Sequence, residues 1–127
     1  MLSTYGERFG LDRETALRIA GAFGAGMARS GEICGSVNGA LMVIGLKHAK
    51  KRTDDDDSRE LAYALAQDFM DAFLERNHTL LCRELLEVDV STPEGIAVIS
   101  EKNLFNTTCP KFVKDAGEIL ENVLKDS

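Results

Sequence analysis

The stretch "SRELAYALAQDFMDAFLERN" (Ser58 to Asn77) decides the fold class of this 127-residue chain. Its large apolar side chains recur at every fourth position, namely Leu61, Leu65, Phe69 and Phe73. That spacing places side chains along one face of an α-helix. It predicts a helix from about Asp55 to Arg76 whose apolar stripe faces the core.

Similar patterns predict helices on both sides of this stretch. Towards the N-terminus, one helix is expected from Asp12, as N-cap, to Ala28, with Leu17, Ala20 and Phe23 near helical spacing. A second is expected from about Glu32 to Lys50. We therefore expect an all-α fold, a compact bundle of about five or six helices in a single domain over residues 1–127.

The C-terminal third carries three further helix-start signals. Thr79 is placed to cap a short helix in "LLCRELL", and Thr92 followed by Pro93 is a typical helix start. The last helix is expected to begin near Pro110. Its predicted apolar face comprises Phe112, Val113, Ala116, Ile119, Leu120, Val123 and Leu124.

Composition and charge exclude several classes of protein. A hydrophobic content of 44% with 28% charged residues is ordinary for a globular domain. The net charge of −6 argues against nucleic-acid binding, which requires a basic surface. No apolar run reaches the roughly 18–20 residues of a membrane span. The start "MLSTYGERFG" has no basic segment typical of an export signal, so we expect a cytoplasmic protein with reduced thiols and no membrane partner.

Two opposite charge runs meet in the middle of the chain. The basic run is Lys47, His48, Lys50, Lys51 and Arg52, and the acidic run is Asp54, Asp55, Asp56 and Asp57. Cations at the end of one helix and anions at the start of the next both oppose the helix macrodipole. The acidic run lacks the alternating ligands and glycine of a calcium loop, so the helix ends explain both runs.

The three cysteines share one setting in this interpretation. Cys34, Cys82 and Cys109 each fall at the first turn of a predicted helix, and Cys109 is expected to be the N-cap itself because Pro110 follows it. Unpaired N–H groups at a helix N-terminus stabilise a thiolate and lower the pKa of the thiol. Arg83 and Lys111 are expected to act in the same direction. The alternative is that these cysteines are small core residues, since free cysteine is often buried.

Glycines around Cys34 form a second pattern. Gly31, Gly35 and Gly39 are spaced by four residues and would form one smooth ridge on a regular helix. Each glycine inside a helix costs about 1 kcal/mol relative to alanine. Close approach of another backbone is the favoured explanation, and Gly35 and Gly39 are the candidates for lining a bound cofactor if the space holds one.

The chain contains no recognisable metal motif. There is no CxxC pair, and His48 and His78 are far apart in sequence with polar neighbours. Surface exposure is the favoured prediction for both histidines.

Several separated motifs of the chain resemble one known family. They are "GAFGAGMARSGEICGSVNGALMVIGLKHAKK", "CRELL" and "TTCPKFVKDAGEIL". The resemblance covers most of the chain, from about Phe23 to Leu124. The chain resembles the C_GCAxxG_C_C family, a group of small proteins described as redox-active. The CGAxxG element matches Cys34, Gly35, Ser36 and Gly39, with serine in place of alanine, and the two later family cysteines match Cys82 and Cys109.

The resemblance also implies a fourth cysteine upstream of the CGAxxG element. No cysteine precedes Cys34 in this sequence. We expect either that the gene starts upstream of Met1 or that this member lost the first family cysteine. The sequence upstream of the start codon distinguishes these two explanations.

Three functions from different classes follow. In the first, two of Cys34, Cys82 and Cys109 cycle between dithiol and disulfide with a redox partner protein, and Cys34 is the attacking thiolate. In the second, the same three cysteines bind an iron–sulfur cluster or zinc, and the fourth ligand is His48, His78, a carboxylate, water or a group from a partner chain. In the third, the chain is a helical interaction module with structural cysteines. A homodimer is compatible with all three.

Overall fold

The computed structural model describes residues 1–49 and 56–125. Within these ranges the chain forms nine α-helical segments and no strand. The segments are α1 (Leu2–Tyr5), α2 (Arg13–Ala20), α3 (Gly24–Met27), α4 (Gly35–His48), α5 (Asp56–Asn77), α6 (Cys82–Leu86), α7 (Pro93–Lys102), α8 (Leu104–Thr107) and α9 (Cys109–Lys125), and a 3-10 turn spans Gly6–Phe9. Five of them have at least eight residues and α6 has five, which confirms the predicted all-α fold.

The core lies where α5 packs against α4 and α9. Phe69 and Phe73 of α5 are fully buried, with ring centroids 6.3 Å apart. Leu65 is half-buried, but Leu61 is 47% exposed, so the prediction that the whole stripe faces the core was wrong at its first position. At 1.5 Å per residue α5 is about 33 Å long. It is longer than α4, which has 14 residues, and α9, which has 17.

The first long helix has the predicted start but an earlier end. The carboxylate of Asp12 accepts a hydrogen bond from Thr15 N at 2.9 Å, which confirms Asp12 as the N-cap of α2. The helix ends at Ala20 rather than at Ala28, with Gly21 as its C-cap, and left-handed backbone from Ala25 onwards excludes a continuous helix to Ala28. Ala16 enters the core and Leu17 is 51% exposed, so the predicted inner face was displaced by one position.

The later helices begin close to their predicted caps. Thr92 is the N-cap of α7 and accepts a hydrogen bond from Gly95 N at 3.0 Å. Thr79 accepts from Leu81 N at 3.1 Å, although Leu81 itself is the N-cap of α6. The predicted face of α9 is largely buried, except that Val113 is 48% exposed.

The charge runs are described in part. Lys47 and His48 lie in the last turn of α4, and Asp56 and Asp57 lie in the first turn of α5, as expected for charges that oppose the helix macrodipole. The other members of the runs, Lys50, Lys51, Arg52, Asp54 and Asp55, lie outside the described residues. Over the described ranges, no helix combines the length and apolar character that crossing a membrane requires.

An ion-pair network joins α5 to α9. Asp115, whose side chain is 13% exposed, accepts from Lys111 Nζ at 3.0 Å and lies 3.4 Å from the guanidinium of Arg76. Burial alone would raise the pKa of Asp115. Hydrogen bonds from Lys111 and Asn77, with the positive charges of Lys111 and Arg76, lower it below its ordinary value instead.

This network makes a testable contribution to stability. A carboxyl group whose pKa is lower in the folded state stabilises the fold above its unfolded-state pKa, and this contribution is lost as the pH falls through the folded-state pKa. We expect Asp115→Asn to lower the free energy of unfolding by about 1 kcal/mol at pH 7 and by less at pH 3, which lies below the ordinary pKa of the carboxyl group. Urea denaturation at both pH values measures this. The control is Glu118→Gln, whose carboxylate binds the same Arg76 but is 48% exposed. An effect of Asp115→Asn that is undiminished at pH 3 contradicts the prediction.

Candidate functional site: three converging thiols

A short antiparallel contact brings two of the cysteines together. Ile33 and Leu81 form an isolated antiparallel bridge, and the next residue along each segment is a cysteine, Cys34 and Cys82. Successive side chains of extended segments point to opposite faces. Cys34 and Cys82 therefore share the face opposite to Ile33 and Leu81.

Two backbone hydrogen bonds hold this contact. Cys34 N donates to Leu80 O at 2.8 Å, and Cys82 N donates to Glu32 O at 2.6 Å. This pattern makes Cys34 and Cys82 diagonal neighbours, with Cα atoms about 7–8 Å apart in such pairs. A disulfide usually spans less than about 7 Å between Cα atoms. Joining these two cysteines therefore requires a small movement of the backbone.

The short segment α3 and the residues after it form a left-handed turn rather than a regular α-helix, and this turn packs against Cys82. All five residues from 25 to 29 have positive φ angles, and four of them, Ala25, Met27, Ala28 and Arg29, are not glycine. Left-handed backbone costs about 1–2 kcal/mol for each non-glycine residue. A Cβ atom added to Gly26 would lie 2.7 Å from Cys82 Cβ, so the backbone of Gly26 packs directly against the side chain of Cys82.

The third cysteine approaches from the start of α9. Cys109 is the first residue of α9 and is half-buried. The charge of Cys34 contributes to raising the pKa of both Cys82 and Cys109, and that of Cys109 contributes at Cys82. All three cysteines are free thiols. The fold thus brings together three residues that are 48 and 27 positions apart along the chain.

Each cysteine lies at a helix start, as predicted. Cys34 is the N-cap of α4, Cys82 is the first residue of α6 and Cys109 is the first residue of α9. Cys109 is one position inside the helix rather than its N-cap. Cys34 is half-buried, and its Sγ lies 3.0 Å from the hydroxyl oxygen of Ser36.

The predicted lowering of the thiol pKa was wrong for two of the cysteines. Burial raises the pKa of Cys82 to about 11, and the charges of Cys34 and Cys109 act in the same direction. Burial also raises the pKa of Cys109, with a further contribution from Cys34. Removal from water opposes the charged form, and at these two positions it outweighs the helix N-terminus.

The two cations expected to assist these thiols have other partners. Arg83 forms an ion pair with Glu32 at 3.0 Å. Lys111 Nζ donates to Asn77 Oδ1 at 2.6 Å and to Asp115 Oδ2 at 3.0 Å. Both side chains thus bind groups other than the thiols.

The glycine pattern is explained mainly by close packing. A Cβ at Gly39 would lie 2.8 Å from Met1 Cβ, and a Cβ at Gly35 would lie 3.4 Å from Phe23 O. Gly31 precedes the helix with φ of 69°, so the predicted ridge of three glycines was wrong at this position. Gly35 and Gly39 also line an apolar cavity of about 170 Å³, together with Met1, Leu2, Ala20, Phe23, Gly24 and Met42. Cofactor binding by Gly35 and Gly39 stays a prediction.

The metal-binding hypothesis gains no support from the arrangement of ligands. In the described part of the chain, no group of three His, Cys, Asp or Glu side chains could hold a metal ion. His78 is exposed, as predicted. His48 is half-buried rather than exposed, and burial followed by the charge of Lys47 lowers its pKa. Metal ligation by Cys34, Cys82 and Cys109 stays a prediction.

Sequence reasoning missed two residues of this site. Ser36 and Gly26 contact Cys34 and Cys82 respectively, and neither was singled out for that role. Ser36 carried a detectable signal, because a polar side chain two positions from a cysteine in an apolar helix requires a partner. Gly26 carried none, because its contact depends on a left-handed turn.

The fold and the site together define a class, that of small all-α proteins in which three free thiols converge at helix starts. The chain belongs to the C_GCAxxG_C_C family, whose description is "Putative redox-active protein (C_GCAxxG_C_C)" and whose profile matches residues 1–123. No curated protein matches the chain, and no solved structure matches it.

Proposed function

We propose that this protein carries out thiol–disulfide exchange, with Cys34 as the attacking thiol and Cys109 as the second cysteine. The observation that carries the proposal is the convergence of three cysteines from distant parts of the chain onto one place, close enough for their charges to interact. Family membership supports the same chemistry. Cys34 is assigned the attack because it is half-buried and has a polar neighbour 3.0 Å from its sulfur.

Burial distinguishes the two candidates for the second cysteine. Cys82 is 7% exposed and belongs to the hydrophobic core, and burial raises its pKa to about 11. It is therefore almost entirely protonated at neutral pH, and a thiol reacts only as thiolate. Burial also raises the pKa of Cys109, but Cys109 is half-buried rather than part of the core, so it is the more accessible of the two thiols. The proposal gives Cys82 a structural role beside the reactive pair.

The reaction balances in two steps. The thiolate of Cys34 attacks a substrate disulfide, forms a mixed disulfide and releases one substrate thiolate. The thiolate of Cys109 then attacks the sulfur of Cys34, which forms the Cys34–Cys109 disulfide and releases the second substrate thiolate. Two electrons pass from the protein to the substrate, and a reduced redox partner protein returns them in the reverse sequence.

We place this redox cycle in a reducing compartment with two partners. A reducing compartment, the cytoplasm, keeps the resting dithiol reduced. The proposed partners are a disulfide substrate and a thiol reductant, with neither nucleic acid nor membrane involved. A homodimer is compatible with the reaction because both reactive cysteines lie in one chain.

The test is treatment of the reduced protein with oxidised glutathione, followed by alkylation under denaturing conditions and peptide mapping by mass spectrometry. We expect a Cys34–Cys109 disulfide in the wild-type protein. Cys34→Ser should abolish this disulfide, and the rate of thiol loss should fall about 100-fold or more, because the attacking group is gone. Circular dichroism verifies that the variant is folded.

The matched control is Cys82→Ala, which should leave the Cys34–Cys109 disulfide in place. Three thiols that stay free of disulfide in an excess of oxidised glutathione contradict the proposed reaction. A disulfide that includes Cys82 contradicts the assignment of the second cysteine.

A further inference from the structure

The first half of α4 carries two polar side chains in an otherwise apolar sequence. Between Gly35 and Leu46, the only residues with polar side chains are Ser36 and Asn38. The helix packs against α5 and α9 in the core, where an unpaired polar group opposes folding. Both polar residues follow Cys34 within four positions, so their presence requires an explanation near that cysteine.

Ser36 already contacts the sulfur of Cys34. Its side chain is buried, with 7% exposure of the residue, and its hydroxyl oxygen lies 3.0 Å from Cys34 Sγ. A hydroxyl group can rotate to donate to this sulfur or to accept from it. The contact can therefore follow a change in the charge of the sulfur without movement of the backbone.

Asn38 presents a buried donor without a partner. No residue in the described ranges accepts a hydrogen bond from the Nδ2 group of Asn38. Asn38 N donates to Cys34 O at 3.1 Å, so the two residues are one helical turn apart on the same face. Side chains of an α-helix lean towards its N-terminus. The amide of Asn38 therefore leans towards the end of α4 that carries Cys34.

We propose that Ser36 and Asn38 are positioning residues that donate hydrogen bonds to the sulfur of Cys34 when this sulfur is negatively charged. In the neutral thiol the sulfur is a weak acceptor, and the Asn38 amide remains unpaired. In the thiolate the sulfur is a strong acceptor, and both donors gain a charge-assisted hydrogen bond. The inference rests on the proposed function, since it concerns the attacking form of Cys34.

In the part of the chain that the structure describes, Cys82, Cys109 and Arg83 are titratable or charged groups near Cys34 that do not provide this stabilisation. The thiols of Cys82, from α6, and Cys109, from α9, interact with it, and neither group carries a positive charge. The charge of Arg83 is paired with Glu32. Donors from α4 itself are therefore the groups suited to hold the charged sulfur.

The test measures the rate at which iodoacetamide alkylates Cys34 in the native protein between pH 6 and pH 10, with each cysteine quantified by peptide mapping. We expect Asn38→Leu to lower the rate at pH 7 about tenfold and to move the pH profile upwards by about one unit. Ser36→Ala, which restores the alanine of the family motif, should have a similar effect. The rate at Cys109 in the same samples is the internal control and should not fall, because less negative charge on Cys34 opposes the ionisation of Cys109 less.

A melting experiment separates this role from a structural one. Asn38→Leu replaces an unpaired buried amide by an apolar group of similar size, so we expect the melting temperature of the reduced protein to be unchanged or raised. Lower melting temperatures with an unchanged Cys34 profile in both variants overturn the inference. If Asn38→Leu does not fold, Ser36→Ala alone decides: an unchanged profile overturns the inference and a displaced one supports it. The measurement needs no disulfide, so a failure of the proposed exchange reaction is detected separately by the glutathione experiment.

Discussion

Replacing Gly26 with alanine is expected to lower the free energy of unfolding by at least about 3 kcal/mol. The added Cβ would lie 2.6 Å from Glu32 N, 2.7 Å from Gly31 C and 2.7 Å from Cys82 Cβ. The first two are backbone atoms, so no rotation of a side chain relieves the overlap. Gly26 also has φ of 68°, a left-handed conformation that disfavours alanine independently of the available space.

The same substitution should disturb the thiol site. Gly26 contacts Cys82 directly. The hydrogen bond from Cys82 N to Glu32 O also holds the segment that precedes Cys34. We therefore expect Cys82, which is 7% exposed in the wild type, to become reactive towards a thiol reagent without denaturant.

The matched control for this prediction is Gly24→Ala. Gly24 lies two positions away in the same segment and lacks a positive φ, and a Cβ added to it would meet no atom within 4 Å. Urea denaturation should therefore separate the two variants by several kcal/mol. Equal stability of the two variants contradicts the role assigned to the left-handed turn.

Replacing Gly95 with alanine should have an effect of comparable size at the start of α7. The added Cβ would overlap with Asp89 O and lie 2.6 Å from Asp89 C, which are backbone atoms of the preceding turn. Thr92 caps the helix by accepting from Gly95 N and also donates its hydroxyl hydrogen to Asp89 O at 3.1 Å. The substitution must push these elements apart, and we expect a loss of about 2–4 kcal/mol in the free energy of unfolding.

Gly45→Ala is the control for the second prediction. Gly45 lies inside α4, and nothing is within 4 Å of a Cβ built on it. Alanine should stabilise the helix there by about 1 kcal/mol because glycine has the poorer helix propensity. The melting temperature and the urea midpoint should both decrease for Gly95→Ala and both increase for Gly45→Ala, relative to the wild type. A tolerated alanine at position 95 means that the turn before α7 is not as tightly packed as described.

Two glycines, Gly26 and Gly39, allow the segments around the thiol site to pack closely. Gly26 allows the left-handed turn to reach Cys82, and Gly39 allows the N-terminal segment to reach α4. Neither residue carries a reactive group. Their role is to let backbones approach closely, which positions the segments from which the cysteines extend.

The sequence by itself determined the all-α fold and most helix starts. The four-residue spacing of Phe69 and Phe73 identified α5, and the side chains of Asp12 and Thr92 identified the N-caps of α2 and α7. These features are local, because a cap bonds within three residues and a helical stripe repeats every turn. The positions of the cysteines at helix starts followed from the same local signals.

Only the tertiary structure decided which chemistry those helix starts support. Local reasoning assigned a lowered pKa to each thiol, but burial raises the pKa of Cys82 and Cys109. The cations beside them in sequence bind carboxylates or an amide on other segments. Cys34 lies near Cys82 because an antiparallel β-bridge pairs Ile33 with Leu81, 48 residues further along the chain. Burial and long-range pairing are properties of the packed chain, and no local pattern of residues encodes them.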